Sequence, residues 1–464
     1  MRIEYLEEGE RPSAEMLGRA VALESEILGN VATIIAAVQA RGDDALKEYT
    51  KQFDGVDITL FRVDELEPQR ALRKVSPTLL AALQTAAKRI TEFHEHQRQQ
   101  SWFTTREDGS FIGSKVTPVG SAGIYVPGGR AQYPSTVLMN AIPAQVAGVQ
   151  RIVMVSPPQA NGRISDVTLA AAQLAGVTEI YMVGGAQAIA ALAYGTDQIL
   201  PVDKITGPGN AYVSAAKRLV SGDVGIDMIA GPSEVLILAD ETADSGFIAI
   251  DLLAQAEHDP DARTYLVTTD EDLVDEVIEE IEKLLALSPR LETTKQAIDN
   301  NCTVFVCPDL ATALLASNTV APEHLEIQMD QPFELLGLIE NAGAIFIGPW
   351  TPESVGDYVA GPNHTLPTSG AARYRGPLSV DDFIKRSSVI SYSYGALDKD
   401  AATIKAFAEA EGLWAHGRAV ELRFETPEPR DEDDDAEKAE QTLAADVGKG
   451  VAGGTADAVI GMLP

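Results

Sequence analysis

The chain has 464 residues, 45% of them hydrophobic, which is enough for two or three domains around a large core. Its formal net charge of −33 argues against nucleic acid and against anionic membrane surfaces as partners. No apolar run approaches the length of a membrane span, and the acidic start MRIEYLEEGE is unlike a signal peptide, so a cytoplasmic location is expected. Over residues 425–464, eleven acids against three bases give a net of −8, which leaves −25 on the rest of the chain. A terminal acidic segment alone therefore does not account for the balance. A surface acidic throughout is what adaptation to a high-salt cytoplasm produces, so a halophilic source is expected, with plain solubility as the alternative. Cys302 and Cys307 flank one strand-like stretch, TVFV, and form neither a CxxC pair nor a disulfide framework, as in a reducing compartment.

Residues 1–21 read as an N-terminal arm. Helical periodicity follows over 24–51 and again over 77–100, where Leu79, Leu80, Leu83, Ala87, Ile90 and Phe93 recur on one face. From Ser121 the pattern changes to alternating strand and helix. AGIYVPGG, RIVMVSPP and EIYMVGG are strands, and an apolar helical stretch follows each. That is a βαβαβα run, hence a parallel sheet with right-handed crossovers. After KITGPGNAYVSAAKRLV a second run begins with EVLILAD and continues through RTYLVTT, CTVFVCP and AGAIFIG. The expected fold is α/β, with two Rossmann-like parallel-sheet domains that lack GxGxxG. We place the larger domain at 22–124 with 235–380 and the second at 125–234. A small helical piece follows over 381–424, and a disordered acidic tail over 425–464.

The glycine turns YVPGGR, VGGAQA and TGPGNAY sit at element ends, where backbone N–H groups approach a pyrophosphate. Singly each is an ordinary turn. Together they fit an atypical dinucleotide site, with Tyr125, Gln187 and Asn210 as polar contacts.

The stretch 235–258 carries the strongest chemical signal. It reads as a strand, a polar turn and a helix over 245–258, with Ser245 as N-cap and Pro260 as stop. Gln255 and His258, three apart, share one side of the last turn and can hold a metal such as Zn²⁺. Alone, such a His more often caps the helix or faces solvent. The chain has only six His residues. His94 and His96 lie in a charged stretch that reads as a solvated helix face. The other four fall in AEHDPDA, APEHLEI, GPNHTLP and LWAHGRA, segments thick with Gly, Pro and acids, as in a site assembled from distant pieces.

GPGNAYVSAAKRLV, GIDMIAGPSEVLILAD, LLAQAEHD, APEHLEI, GAIFIGPWTPESVGDYVAGPNHTLPT and EGLWAHGRAVELR together resemble the L-histidinol dehydrogenase family over roughly residues 15–424. The resemblance implies a four-electron oxidation of L-histidinol to L-histidine through histidinal, with two NAD⁺ used in turn and one Zn²⁺ per site. It implies Gln255, His258, Asp357 and His416 as metal ligands and Glu323 with His324 as the catalytic pair. Ser233, His364 and Glu411 would contact substrate beside the metal ligands and His324. It also implies a homodimer in which the segment carrying Glu411 and His416 crosses to the neighbouring subunit. The chemistry agrees: alcohol oxidation needs a base for the hydroxyl proton, which suits His324, and an aldehyde hydrate needs activated water, which suits Glu323. One carboxylate and no thiolate among the ligands leave the metal positive, able to orient and polarise a substrate carrying imidazole and amine nitrogens. A zinc hydrolase or another amino-alcohol dehydrogenase are the competing enzyme readings. A hydrolase has no need of two strand–helix runs with glycine turns, and a non-catalytic binding protein has no need of Glu323–His324. NAD versus NADP is left open by the sequence.

Overall fold

The computed structural model describes residues 1–18, 25–128 and 132–425. The expected tail beyond Glu425, the end of the N-terminal arm and Arg130 of the first glycine turn lie outside the described residues. The first strand–helix run forms a five-stranded parallel sheet in the order Glu179–Met182, Arg151–Ser156, Ser121–Tyr125, Lys204–Thr206, Gly225–Ile226. The second forms a six-stranded parallel sheet: Arg2–Tyr5, Cys302–Val306, Arg263–Thr268, Glu234–Ala239, His324–Gln328, Ala344–Ile347. Setting aside the N-terminal strand, both sheets share one order, in which the first and fourth strands of each run lie side by side. Strand order reverses between those two, which is the switch point where α/β sheets open a crevice. The expected fold class is present, and the presumed arm contributes an edge strand.

Burial explains the strand signal. Val235 to Ala239 are fully enclosed, so the central strand of the second sheet reads as one continuous apolar run. The helix after it spans Ser245–Ala256 and buries Ile248, Leu252, Leu253 and Ala256. Its N-cap is Asp244 and not Ser245: the Asp244 carboxylate accepts from Phe247 N at 3.0 Å, satisfying an N–H that the helix leaves open.

The N-terminal helices depart from expectation. The 24–51 periodicity resolves into Ser25–Arg41 and Asp43–Asp54, divided at Gly42, whose φ of 51° is left-handed. Val31, Ile34 and Leu46 share a core with Val153, Tyr181 and Ile189. Leu83 and Ile90, on the helix Pro77–Glu95, pack with Val137, Ile142 and Ile152. The helices therefore cover the five-stranded sheet, and Ser121–Tyr125 is that sheet's central strand, so 22–124 does not join 235–380. Periodicity shows that a helix face is buried but not which sheet it meets. His94 departs too: it is buried, with Nδ1 2.8 Å from the Ile90 carbonyl.

A separate unit comprises Ser101–Lys115 and, among the described residues, 387–425. Trp102–Thr105 pairs antiparallel with Phe111–Pro118, and Ile384–Ser391 is the third strand of that sheet. Two helices follow, Tyr394–Ala410, capped by Ser393, and Trp414–Glu425. The piece expected to be helical thus also carries a strand. Among the described residues no helix is long and apolar enough to cross a membrane.

Candidate functional site

A polar cluster gathers at the amino-terminal edge of the six-stranded sheet. His324 opens its strand and pairs in register with Val235, which sets its ring beside the start of the neighbouring strand. There Nδ1 lies 3.2 Å from the Glu234 carbonyl. Glu323 lies at the same edge, and its Oε2 accepts from Glu234 N at 3.0 Å. Residue 234 therefore holds both members of the expected catalytic pair through its backbone. The helix Ser245–Ala256 runs back from the far edge and delivers Gln255, fully buried, to this point. With its amide nitrogen turned inward, Gln255 meets the two Glu353 oxygens at 3.1 and 3.3 Å and His324 Nδ1 at 3.1 Å. The opposite orientation would set the amide oxygen against acceptors. Nδ1 of His324 thus lies between the Glu234 carbonyl and the Gln255 amide, while its Nε2 is buried with no partner.

His258 follows the helix end, with its N–H bonded to the Gln255 carbonyl at 3.2 Å, and its ring is exposed. Its donor atom and those of Glu353 and Asp357 all lie within 4.8 Å of one another. Glu353 and Asp357 sit four apart on the short helix Glu353–Tyr358, on one face. Asp357 Oδ1 is 3.7 Å from His364 Nδ1. Ser233 directly precedes Glu234, and its carbonyl accepts from Arg263 N at 2.9 Å.

The electrostatics follow from burial. Desolvation drives the His324 imidazole down to about 4, against the opposing pull of the Asp357 charge, so the ring is a neutral base at neutral pH. Desolvation also lifts the Glu323 and Glu353 carboxyls well above the usual range, and the charge of Asp357 lifts both further. Acids crowded in this way favour a dication in exchange for their protons. With Gln255 and His258 alongside, the donor set of amide oxygen, imidazole and carboxylate fits a borderline metal such as zinc. The residues suit the group.

A second group of polar residues lies at the carboxyl edge of the five-stranded sheet, beside its switch point. Tyr125 ends the central strand; burial pushes its phenol up to about 12, and its Oη accepts from Gly185 N at 3.1 Å. Gln187 is buried, and neither end of its amide has a partner. That orphaned amide is the feature here that asks for a ligand. Asn210 caps the helix Ala211–Val220, accepting from Tyr212 N and Val213 N, each at 3.1 Å. The turn between is fixed from below: Gly207 N donates to Asp227 Oδ2 at 2.8 Å, and Lys217 Nζ donates to the Gly207 carbonyl at 2.9 Å. Lys217 and Asp227 themselves form a buried ion pair. Gly207 has φ 112°, and a Cβ there would collide with the Tyr125 carbonyl, so only glycine fits.

The structure thus draws together Gln255, His258, Glu323, His324, Asp357 and His364. Ser233 adjoins them through Glu234. Glu411 and His416 are exposed residues of the separate C-terminal unit. Sequence reasoning missed Glu353. The available signal was its four-residue spacing from Asp357 in PESVGDY, which puts both carboxyls on one helix face.

Comparison with known proteins gives a single answer. A family model described as histidinol dehydrogenase matches residues 18–424. The chain is 53% identical over 395 residues to histidinol dehydrogenase of Halalkalibacterium halodurans, covering 85% of this chain and 93% of that one. It is 55% identical over 390 residues to that of Bacillus licheniformis, covering 84% and 92%. A crystal structure of histidinol dehydrogenase from Elizabethkingia anophelis superposes with a TM-score of 0.85 at 38% identity, covering 92% of this chain and 98% of that one.

Proposed function

The chain belongs to the histidinol dehydrogenase family of NAD-dependent oxidoreductases, and on that premise we propose that it oxidises L-histidinol to L-histidine with two NAD⁺ and one Zn²⁺ per site. The observation that carries this reading is the meeting of Gln255, His258 and Asp357 around a His324 whose buried Nε2 has no partner. Gln255, His258 and Asp357, with His416 from a second subunit, would hold the zinc, which when bound orients the substrate and polarises it as a Lewis acid. NAD⁺ is the hydride acceptor; the orphaned Gln187 amide and the glycine turn at Gly207 support a dinucleotide at the first sheet.

The chain's own residues do the proton chemistry. His324, neutral because it is buried, takes the hydroxyl proton at Nε2 as hydride passes to NAD⁺ from the carbon bearing that hydroxyl. The aldehyde formed must gain water before it can lose a second hydride. Glu323, beside His324 and bonded to Glu234 N, is placed to take a proton from that water. His364, Ser233 and Glu411 fit the role of substrate contacts. Exchange of the C-terminal unit between two subunits would supply Glu411 and His416 in a homodimer.

Removing bound metal with a chelator should abolish turnover, and adding Zn²⁺ should restore it. Full activity in protein shown metal-free by elemental analysis would overturn the zinc assignment.

A further inference from the structure

Behind the residues assigned to chemistry lies a second buried polar group that the reaction does not use. Asp251 stands one helical turn before Gln255, on the same side of the helix. Glu326 stands two residues after His324, on the same face of its strand. Both are buried, and their carboxyls hydrogen-bond to each other. Gln328 Nε2 bridges them, donating to Asp251 Oδ2 at 3.1 Å and to Glu326 Oε2 at 3.0 Å. The remaining oxygen, Glu326 Oε1, accepts from Glu353 N at 2.9 Å. That N–H opens the short helix Glu353–Tyr358, whose N-cap position is Pro352 and supplies no side-chain cap. Glu326 thus caps from another element the helix that bears Glu353 and Asp357. Burial, followed by the charge of Asp251, lifts Glu326 to about 8, so near neutral pH a proton lies between the two carboxyls and they bind instead of repelling.

We propose that Asp251 and Glu326 are positioning residues: their hydrogen-bonded carboxyls tie the helix of Gln255 and His258, the strand of His324 and the helix of Glu353 and Asp357 into one geometry. Three of the proposed zinc ligands and the proposed base come from these three elements, which the Gln255 amide also joins from the side of the site. The proposal rests on the zinc reading above. Residues behind the ligands of a metal site set ligand orientation, and their loss typically costs 10–100-fold in metal affinity or activity.

The test compares Glu326→Leu, which removes both links, with Glu326→Gln, which keeps the shape, the bond to Asp251 and the acceptor for Glu353 N. Zinc affinity is read by chelator competition on protein shown to be folded by circular dichroism, and kcat and KM are read on zinc-loaded protein. Glu326→Leu should bind zinc roughly 10–100-fold more weakly and lose kcat more than KM, while Glu326→Gln should recover most of both. Should the leucine variant not fold, Asp251→Ala cuts the same tie from the helix side and should shift affinity in the same direction. Unchanged zinc affinity and kcat in Glu326→Leu or Asp251→Ala, with only a lower melting temperature, would overturn the positioning role alone. A wild-type chain that binds no zinc would overturn this proposal together with the zinc reading.

Discussion

At the scale of single residues, the site's chemistry turns on burial. His324 is a neutral base because it is enclosed, and its free nitrogen points to one proton-transfer role. His324→Ala should lower kcat by roughly 10²–10⁴-fold while altering KM little, and Glu323→Gln should slow histidinal oxidation more than histidinol oxidation. Steady-state kinetics on each substrate decides; the reverse pattern for Glu323 would exchange the roles. A second buried acid gives a stability prediction. Burial raises Asp54 from 3.8 to about 6, and its Oδ2 is enclosed without a partner. A raised folded value means that this contribution to stability is complete below about 3.8 and is lost as pH rises through about 6. Above that, an ionised carboxylate sits at a helix C-terminus, where the dipole also opposes it. Asp54→Asn should therefore stabilise the fold at pH 8 by about 1 kcal/mol after allowing for partial exposure, seen as a higher melting temperature there and not at pH 4. Equal shifts at both pH values would contradict this. The rare His residues and the Gln255–His258 spacing made much of the site legible in the sequence. Glu326 and Asp251 were not, because their meaning arises only where three separate elements meet.

At the scale of elements, periodicity located most helices and strands, since burial on one face or both leaves a pattern in the residues. Partnership leaves none. Ser25–Arg41 and Pro77–Glu95 show clear apolar faces, yet nothing in the faces says that they cover the five-stranded sheet. The N-cap went to Asp244, one residue ahead of Ser245, because the carboxylate reaches the Phe247 N–H. The C-terminal element carries the sharpest expectation. His416 and Glu411 lie in a compact unit of their own, and the proposed exchange of that unit would give each active site one residue set from each subunit. Two inactive variants, His258→Ala and His416→Ala, unfolded and refolded together, would then form mixed dimers with one intact site. About half the dimers are mixed, so roughly a quarter of wild-type activity should return. A dead mixture containing verified mixed dimers would show that His416 serves its own chain.

At the scale of the whole molecule, two sheets share one strand order and gather polar residues at opposite edges. The five-stranded sheet offers an orphaned amide and a glycine turn at its carboxyl edge. The six-stranded sheet offers its polar cluster at the amino edge, where the helix after the first strand returns. The alternation of strand and helix announced both sheets. The grouping of residues 22–124 with the second sheet was wrong, since it depended on contacts far apart in the chain. The net charge of −25 outside the terminal segment favours solubility, and neither the fold nor the family ties it to a high-salt cytoplasm. We propose that one site carries an alcohol through an aldehyde to an acid. The most direct test of this is to add a limiting, known amount of L-histidinol to the purified protein with excess NAD⁺ and follow absorbance of the reduced nicotinamide to completion. Two NADH should form for each histidinol consumed, with histidine as the sole product. One NADH per substrate with histidinal accumulating, or no reduction at all, would contradict it.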